Sequence, residues 1–268
     1  MRILLCSDSL SKDFLANENC YSIEAGECDS RRNFDHHGIH SKNPCPGNDL
    51  SIQPISVWKI PFVKVRITHY DADGHLGLSR LLGKRHHELL ITSIIEKIDV
   101  SGSSILDNFN IPEYHFMLGI KELSRSLPKS SKEEVDVTEM VLGILDMPLM
   151  EIINIGKGVF KTLKDNLDKC LVCKKSGIGL WRAGKELLDP SMSYQDGTNI
   201  VVLYNDERKS ISMYSSPFTG PEICRIWCGI QFSGHPRACG TPRDKDFSFE
   251  DAQNVYAEVL KCFDRSWE

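Results

Sequence analysis

The sequence predicts an α/β protein: a sheet flanked by helices that carries a metal site, joined by helices to a smaller C-terminal α/β lobe. Three observations support this. Short apolar strands in the first third each run into a polar turn, a segment of helical periodicity follows, and a fresh pair of strands with a closing helix comes after a connector. A chain of 268 residues suits one large domain or two moderate ones. The expected division is a metal-binding domain with its connecting helices over 1–180 and a substrate-binding domain over 190–268.

The elements follow in order. "RILLCSDS" is apolar from Ile3 to Cys6 and stops at Ser-Asp-Ser, while "CYSIEAGE" alternates and then reaches Gly26. "RRNFDHHG" offers a short strand around Phe34. "VKVRITHYDADG" alternates Val63, Val65 and Ile67 before it breaks into acids and Gly74. "HLGLSRLLGKRHHELLITSIIEKI" spaces its leucines and isoleucines as a helix does, with a break near Gly83. Residues 133 to 172 read as mainly helical, with Val137, Val141, Ile144 and Leu145 on one face and breaks at Pro148 and Gly156. "GKELLDPSMSYQDG" is a connector. "TNIVVLYND" and "KSISMYSS" form a strand pair about the turn Asp206-Glu207-Arg208, and "SFEDAQNVYAEVLKCFD" closes the chain as a helix that Ser248 and Asp251 cap.

Composition narrows the class. Hydrophobic residues make up 41% and charged residues 26%, as in ordinary globular chains. No apolar run is long enough for a membrane span, and Ile3–Cys6 is too short for a secretory core, so a cytoplasmic protein with mostly reduced cysteines is expected. A net charge of −5 argues against a broad basic surface that grips long duplex nucleic acid. It leaves room for a small anionic ligand held by local positive charge.

The chemistry concentrates in acids and histidines at the ends of apolar runs. Asp35, His36 and His37 follow Phe34, and His69, Asp71 and Asp73 follow Ile67. Residues two apart on a strand share a face, so His69, Asp71 and Asp73 project together if the strand continues. One nitrogen and two carboxylates suit Mn²⁺, and less selectively Zn²⁺ or Fe²⁺. Asp71 and Asp73 can each lean to a different ion, as a two-metal site requires. Asp8, after "ILLCS", and Asp99, after "SIIEKI", stand at comparable places. In an open α/β sheet the carboxyl ends of the strands share one edge, where all of these residues would meet. Taken singly, a DHH triplet is usually a solvated loop and "DADG" a turn; together they point to a metal site. Cys170 and Cys173 form a C-x-x-C within a helical stretch, without the second ligand pair that zinc needs. Adjacent His86 and His87 suit a solvated helix face, and His75 would lie behind the metal ligands.

These motifs resemble the DHH phosphoesterase family, which pairs an Asp-His-His motif with an H-x-D-x-D-G-like motif, here residues 35–37 and 69–74. The family often adds a C-terminal lobe with a hydrophobic hairpin and a Gly-Gly-Gly-His-x-x-Ala-Ala-Gly motif. "NIVVLYNDERKSISMYSS" and "CGIQFSGHPRACG" occupy those places, with Gly234, His235, Ala238 and Gly240 in position. The resemblance covers most of the chain, and the order of the first two motifs is reversed. The arginine of the family's Ser-hydrophobic-Arg-Ser string is replaced by Tyr214, and the glycine loop is thinned to Phe232-Ser233-Gly234.

The resemblance implies a metal-dependent phosphoesterase with two Mn²⁺ ions, or Mg²⁺ or another divalent cation. Asp8, Asp35, His36, His69, Asp71, Asp73 and Asp99 would ligate them. Asp8 would bridge the ions and activate water, with Asp29 its competitor, and His37 would act catalytically and face the phosphate. Gly234, His235 and Arg237 would join His37 in holding the substrate. A short nucleotide is expected: a short single-stranded oligonucleotide, a dinucleotide or a nucleoside bisphosphate. No long duplex or membrane partner is expected, and a homodimer is possible. Hydrolysis of inorganic pyrophosphate and non-catalytic nucleotide or nucleic-acid binding are the alternatives.

Overall fold

The computed structural model describes residues 1–29, 31–36, 42–55, 62–89, 92–101 and 105–263, the side chains of 100 and 101 excepted. The fold is mixed α/β, and the chain divides into two compact units. The first comprises Met1–Val100 and Asn110–Phe160, the second Ser101–Phe109 and Lys161–Glu268.

The first unit is built on a sheet of β1 (Arg2–Leu5), β2 (Cys20–Ile23), β3 (Asn33–Phe34), β4 (Lys64–Ile67) and β5 (Val135–Asp136). Their spatial order is β3-β2-β4-β1-β5. The first four are parallel to their neighbours and β5 runs antiparallel at the edge. Ile3, Ile23, Phe34, Val65 and Ile67 are buried in the core, as strands covered on both faces require.

The helices of this unit are α1 (Lys12–Ala16), α2 (Ala72–Leu81), α3 (Thr92–Ser101), α4 (Pro112–Ser124) and α5 (Thr138–Asp146). α6 (Leu149–Cys170) then passes from the first unit into the second. The predicted break at Gly83 is real, with φ +65, a left-handed angle that glycine adopts at little cost. Gly156 does not break α6. It lets that helix approach α4, because a Cβ there would lie 1.6 Å from the His115 carbonyl oxygen.

The second unit carries β6 (Leu171–Lys175), β7 (Ile178–Ala183), β8 (Ile200–Asn205), β9 (Ser210–Ser215), the short pair β10 (Ile226–Trp227) and β11 (Ile230–Gln231), then β12 (Ser233–His235) and β13 (Ala238–Gly240). The main sheet has the order β12-β13-β9-β8-β7-β6. α7 (Phe249–Phe263) contributes Ala252, Val255, Tyr256 and Val259 to a core with Val202, Tyr204, Ile211 and Met213. Ser248 and Asp251 cap it reciprocally: Ser248 Oγ accepts the Asp251 N–H at 3.1 Å, and Asp251 Oδ2 accepts the Ser248 N–H at 2.7 Å. The expected helix through Cys173 ends earlier, because Cys170 closes α6 and Cys173 lies in the exposed strand β6. No helix among the described residues is long and apolar enough to cross a membrane.

Candidate metal centre

The adjacent strands β3, β2 and β4 end at the same edge, and the acids and imidazoles of the first unit gather there. The strand does not carry His69, Asp71 and Asp73 in extended form, as the alternation suggested. β4 stops at Ile67, and Asp71 caps α2 by accepting the Gly74 N–H at 2.9 Å. Asp73 thus sits in the first turn of a helix, where the positive end of the dipole favours a carboxylate. Its Oδ1 also accepts the Gly47 N–H at 3.0 Å. A Cβ at Gly47 would lie 2.9 Å from the Leu76 Cβ, so only glycine brings that amide so near.

Glu24 is the residue that sequence reasoning missed. Its side chain is fully buried and stands between the two imidazoles: Oε1 lies 3.3 Å from His36 Nε2 and Oε2 lies 3.0 Å from His69 Nε2. The rule applied to Asp8 and Asp35, an acid directly after an apolar run, also selects Ile23-Glu24. Glu24 has φ 55, a left-handed angle that costs a residue with a side chain roughly 1–2 kcal/mol. Its N–H is donated to the Phe34 carbonyl at 2.8 Å, and Thr68 Oγ1 donates to its carbonyl, so both neighbouring strands hold it in place.

Two sets of potential ligands share this carboxylate: Glu24 with His69 and Asp71, and Glu24 with His36 and Asp73. His69 Nε2 lies 3.1 Å from Asp71 Oδ2, and His36 Nε2 lies 3.6 Å from Asp73 Oδ2 and 3.3 Å from Asp99 Oδ2. Asp99 therefore joins the cluster, but from helix α3 and not from a strand end. A third set adds the buried Cys45 to His36 and Asp99, its Sγ lying 3.3 Å from His36 Nδ1.

The protonation tendencies follow from this crowding. Burial alone would raise the Glu24 carboxyl, but hydrogen bonds from His36 and His69 hold it well below the usual carboxylate range. Burial and the charge of Glu24 push Asp73 well above that range, against the Gly47 N–H. The hydrogen bond to Glu24 raises His36 despite burial. Asp71 and Glu24 push His69 up to about 11. With 47% of the His69 side chain in solvent, that attraction is partly screened. Acids packed this closely offer what divalent cations require, hard oxygen donors with an imidazole in each set.

Of the other expected residues, Asp35 and Asp8 lie on a cleft beside this centre. Asp35 is buried, accepts the Gly26 N–H, and lines a cleft of about 320 Å³ with Asp8, Glu24 and His69. Asp8 is exposed on that cleft, and its carboxylate hydrogen-bonds to none of the described residues. Asp29 is occupied elsewhere: Oδ1 takes the N–H groups of Arg31, Arg32 and Asn33, and Oδ2 takes the Asn33 amide. His37 lies outside the described residues. In the second unit His235 is exposed on β12 and accepts the Arg237 N–H at 3.2 Å, while Gly234 has φ +139.

One histidine reading is corrected. His86 is not on a solvated face: it is buried, with Nδ1 2.9 Å from His75 Nε2. His75 in turn has Nδ1 2.5 Å from the Tyr70 hydroxyl, which makes a sealed row behind the ligand-bearing turn.

No family model and no curated protein matches the chain. Several solved structures do. One is a pGpG-specific phosphodiesterase, PggH, from Vibrio cholerae, 13% identical, with a TM-score of 0.37 over 78% of this chain and 86% of that one. Another is an uncharacterized protein from Helicobacter pylori G27, 12% identical, with a TM-score of 0.25 over 65% of this chain and 53% of that one. Likeness of this degree to a phosphodiesterase is weak and does not assign the chain to a family.

Proposed function

We propose that the protein is a metal-dependent phosphoesterase that hydrolyses short nucleotides at the centre around Glu24. The observation that supports this reading is the sharing of one buried carboxylate by two ligand sets, Glu24–His69–Asp71 and Glu24–His36–Asp73. In this reading Glu24 would contribute to holding both ions, the role expected of Asp8 or Asp29. Asp99 completes the set at His36, and Asp35 and Asp8 face the cleft where a substrate would enter.

When bound, a pair of divalent cations, Mn²⁺ by preference, supplies a water activated near neutral pH and Lewis acidity toward the phosphoryl oxygens. The chain's own residues do the positioning. Glu24 stays ionised because both imidazoles hydrogen-bond to it. Its left-handed backbone and the Phe34 and Thr68 hydrogen bonds fix where it points. Asp71 is held by its cap and Asp73 by the Gly47 amide, so neither carboxylate must reorganise when ligands arrive. His37 is proposed to contact the scissile phosphate, and Gly234, His235 and Arg237 to hold other substrate groups.

The test is hydrolysis of a panel of short single-stranded oligonucleotides, linear dinucleotides and nucleoside bisphosphates with Mn²⁺, alongside metal stoichiometry by calorimetry. Two ions per chain and release of mononucleotide or phosphate are expected. Tight substrate binding without turnover at saturating Mn²⁺ would show a non-catalytic binding protein.

A further inference from the structure

The second unit contains a groove of about 1010 Å³ at the start of β9 and the end of β13, much larger than the cleft beside Glu24. Arg208, from the turn between β8 and β9, and Arg243 and Lys245, from the segment after β13, line it. No acid does. The same two segments do carry acids, and other cations neutralise most of them: Asp206 pairs with Arg182 at 2.9 Å, Glu207 with Lys185 at 3.9 Å, and Asp246 with Lys209 at 2.8 Å. Asp244 does not line the groove. Among the described residues, none of the three lining cations has a carboxylate within ion-pair distance.

The floor is polar and firmly held. Thr241 is 8% exposed, and its Oγ1 accepts the Ile211 N–H at 3.1 Å, which leaves its own proton to donate. Ser212 adds a hydroxyl from β9, and Gly234 leaves backbone uncovered by a side chain. Three cations, hydroxyl donors and bare backbone are the groups that bind phosphate oxygens. The groove exceeds what one small anion fills. Among the described residues its lining holds no aromatic ring on which bases could stack. His235 and Arg237, the residues expected from the sequence to hold substrate, do not line it.

We infer that this groove binds a chain of phosphate groups, reading the backbone of a short single-stranded nucleotide and not its bases. The inference does not depend on hydrolysis at the Glu24 centre. Ionic contacts to a single strand release counterions, so binding weakens with salt in proportion to the number of phosphates held.

The experiment is fluorescence anisotropy with end-labelled short oligonucleotides of different base composition, in EDTA, over a series of salt concentrations. The expected result is binding insensitive to base identity. In the triple variant Arg208→Gln, Arg243→Gln, Lys245→Gln the slope of log K against log salt should fall by about 2, or roughly 0.7 per contact. A charge-preserving variant with Arg208→Lys and Arg243→Lys should keep the slope and show that the charge, not the fold, was lost. Displacement of the probe by inorganic triphosphate would support a site for a bare phosphate chain. The same dependence on the three cations without displacement would support a site that needs the nucleotide. An unchanged slope and affinity in the triple variant overturns the inference. Because metal is withheld, absence of turnover in the separate hydrolysis assay bears only on the Glu24 reading.

Discussion

Glu24 Oε2 and His69 Nε2 lie 3.0 Å apart, a buried carboxylate against a half-exposed imidazole from a different strand end. The other oxygen of the same carboxylate meets His36 at 3.3 Å. One side chain thus ties two ligand sets together, and substituting it should disable both.

Glu24→Gln keeps the shape and removes the charge. If the proposed function holds, activity should fall by at least about 10³-fold, since the substitution would strip a ligand from two ions that would stabilise transition-state charge. Calorimetry should show fewer than two Mn²⁺ ions bound. Asp29→Asn is the contrasting variant: its oxygen can still accept the loop N–H groups, so activity should stay near wild type. Retained metal stoichiometry in Glu24→Gln, with loss in Asp29→Asn, would reverse the assignment.

Asp73→Asn should stabilise the metal-free protein while abolishing catalysis. Burial and the neighbouring Glu24 raise the Asp73 carboxyl above its ordinary 3.8. A raised folded-state value contributes stability that is complete below 3.8 and is lost as pH rises through the raised value. The metal-free wild type should therefore weaken with rising pH relative to the variant. The gap between the two proteins should widen as pH rises. Urea denaturation in EDTA at several pH values measures it.

The Tyr70–His75–His86 row should make the protein sensitive to mild acid. Burial depresses His75 well below its ordinary 6.5, and the nearby His86 adds to the effect. For a base depressed on folding, the stability is present above 6.5 and is lost as pH falls through the lowered value. Tyr70→Phe leaves His75 Nδ1 without its hydroxyl partner and should cost about 1–3 kcal/mol. Denaturation midpoints from pH 7 downward, compared between wild type and a His75→Phe variant, should converge as the wild type loses its advantage.

Gly156→Ala should destabilise the first unit. The added methyl would meet the His115 carbonyl oxygen at 1.6 Å and the Gly119 nitrogen at 2.9 Å, both backbone atoms that cannot turn aside. Overpacking of this kind costs typically about 1–3 kcal/mol, and contact this close belongs at or above the upper end. Gly143→Ala, where nothing lies within 4 Å, is the control and should be neutral or slightly stabilising.

Strand ends were legible from sequence because an apolar run that stops at an acid marks both the end of a strand and the edge where ligands gather. That logic reached His36, His69, Asp71 and Asp73; Asp35, named the same way, lines the cleft outside the candidate ligand sets, and Asp99 joins them from helix α3 and not from a strand end. It passed over Glu24 because "SIEAG" reads as simple alternation into a glycine turn, and the left-handed φ that turns the side chain into the cluster has no signature in a non-glycine residue. His86 escaped for another reason. Adjacent histidines on a presumed helix suggest opposite faces, whereas a 3₁₀ turn at His86–Glu88 brings His86 inward to meet His75. The reversed order of the two ligand motifs has a simple physical reading: β3, β2 and β4 are neighbours in one parallel sheet, so their ends adjoin whichever is made first.

The interleaving of the two units bears on how the chain is made. Residues 101–109 belong with the second unit, yet they are synthesised before the rest of the first is complete. The Asp107 carbonyl waits for the Gln195 amide, and β1, near the very start, waits for β5 on one side and β4 on the other. Domains commonly finish in order as they leave the ribosome. Here a nascent chain stopped at Phe160 would hold residues 105–109 without their partners, so the emergence of α7, and not that of the first ligand motifs, sets the earliest moment at which both units can be whole.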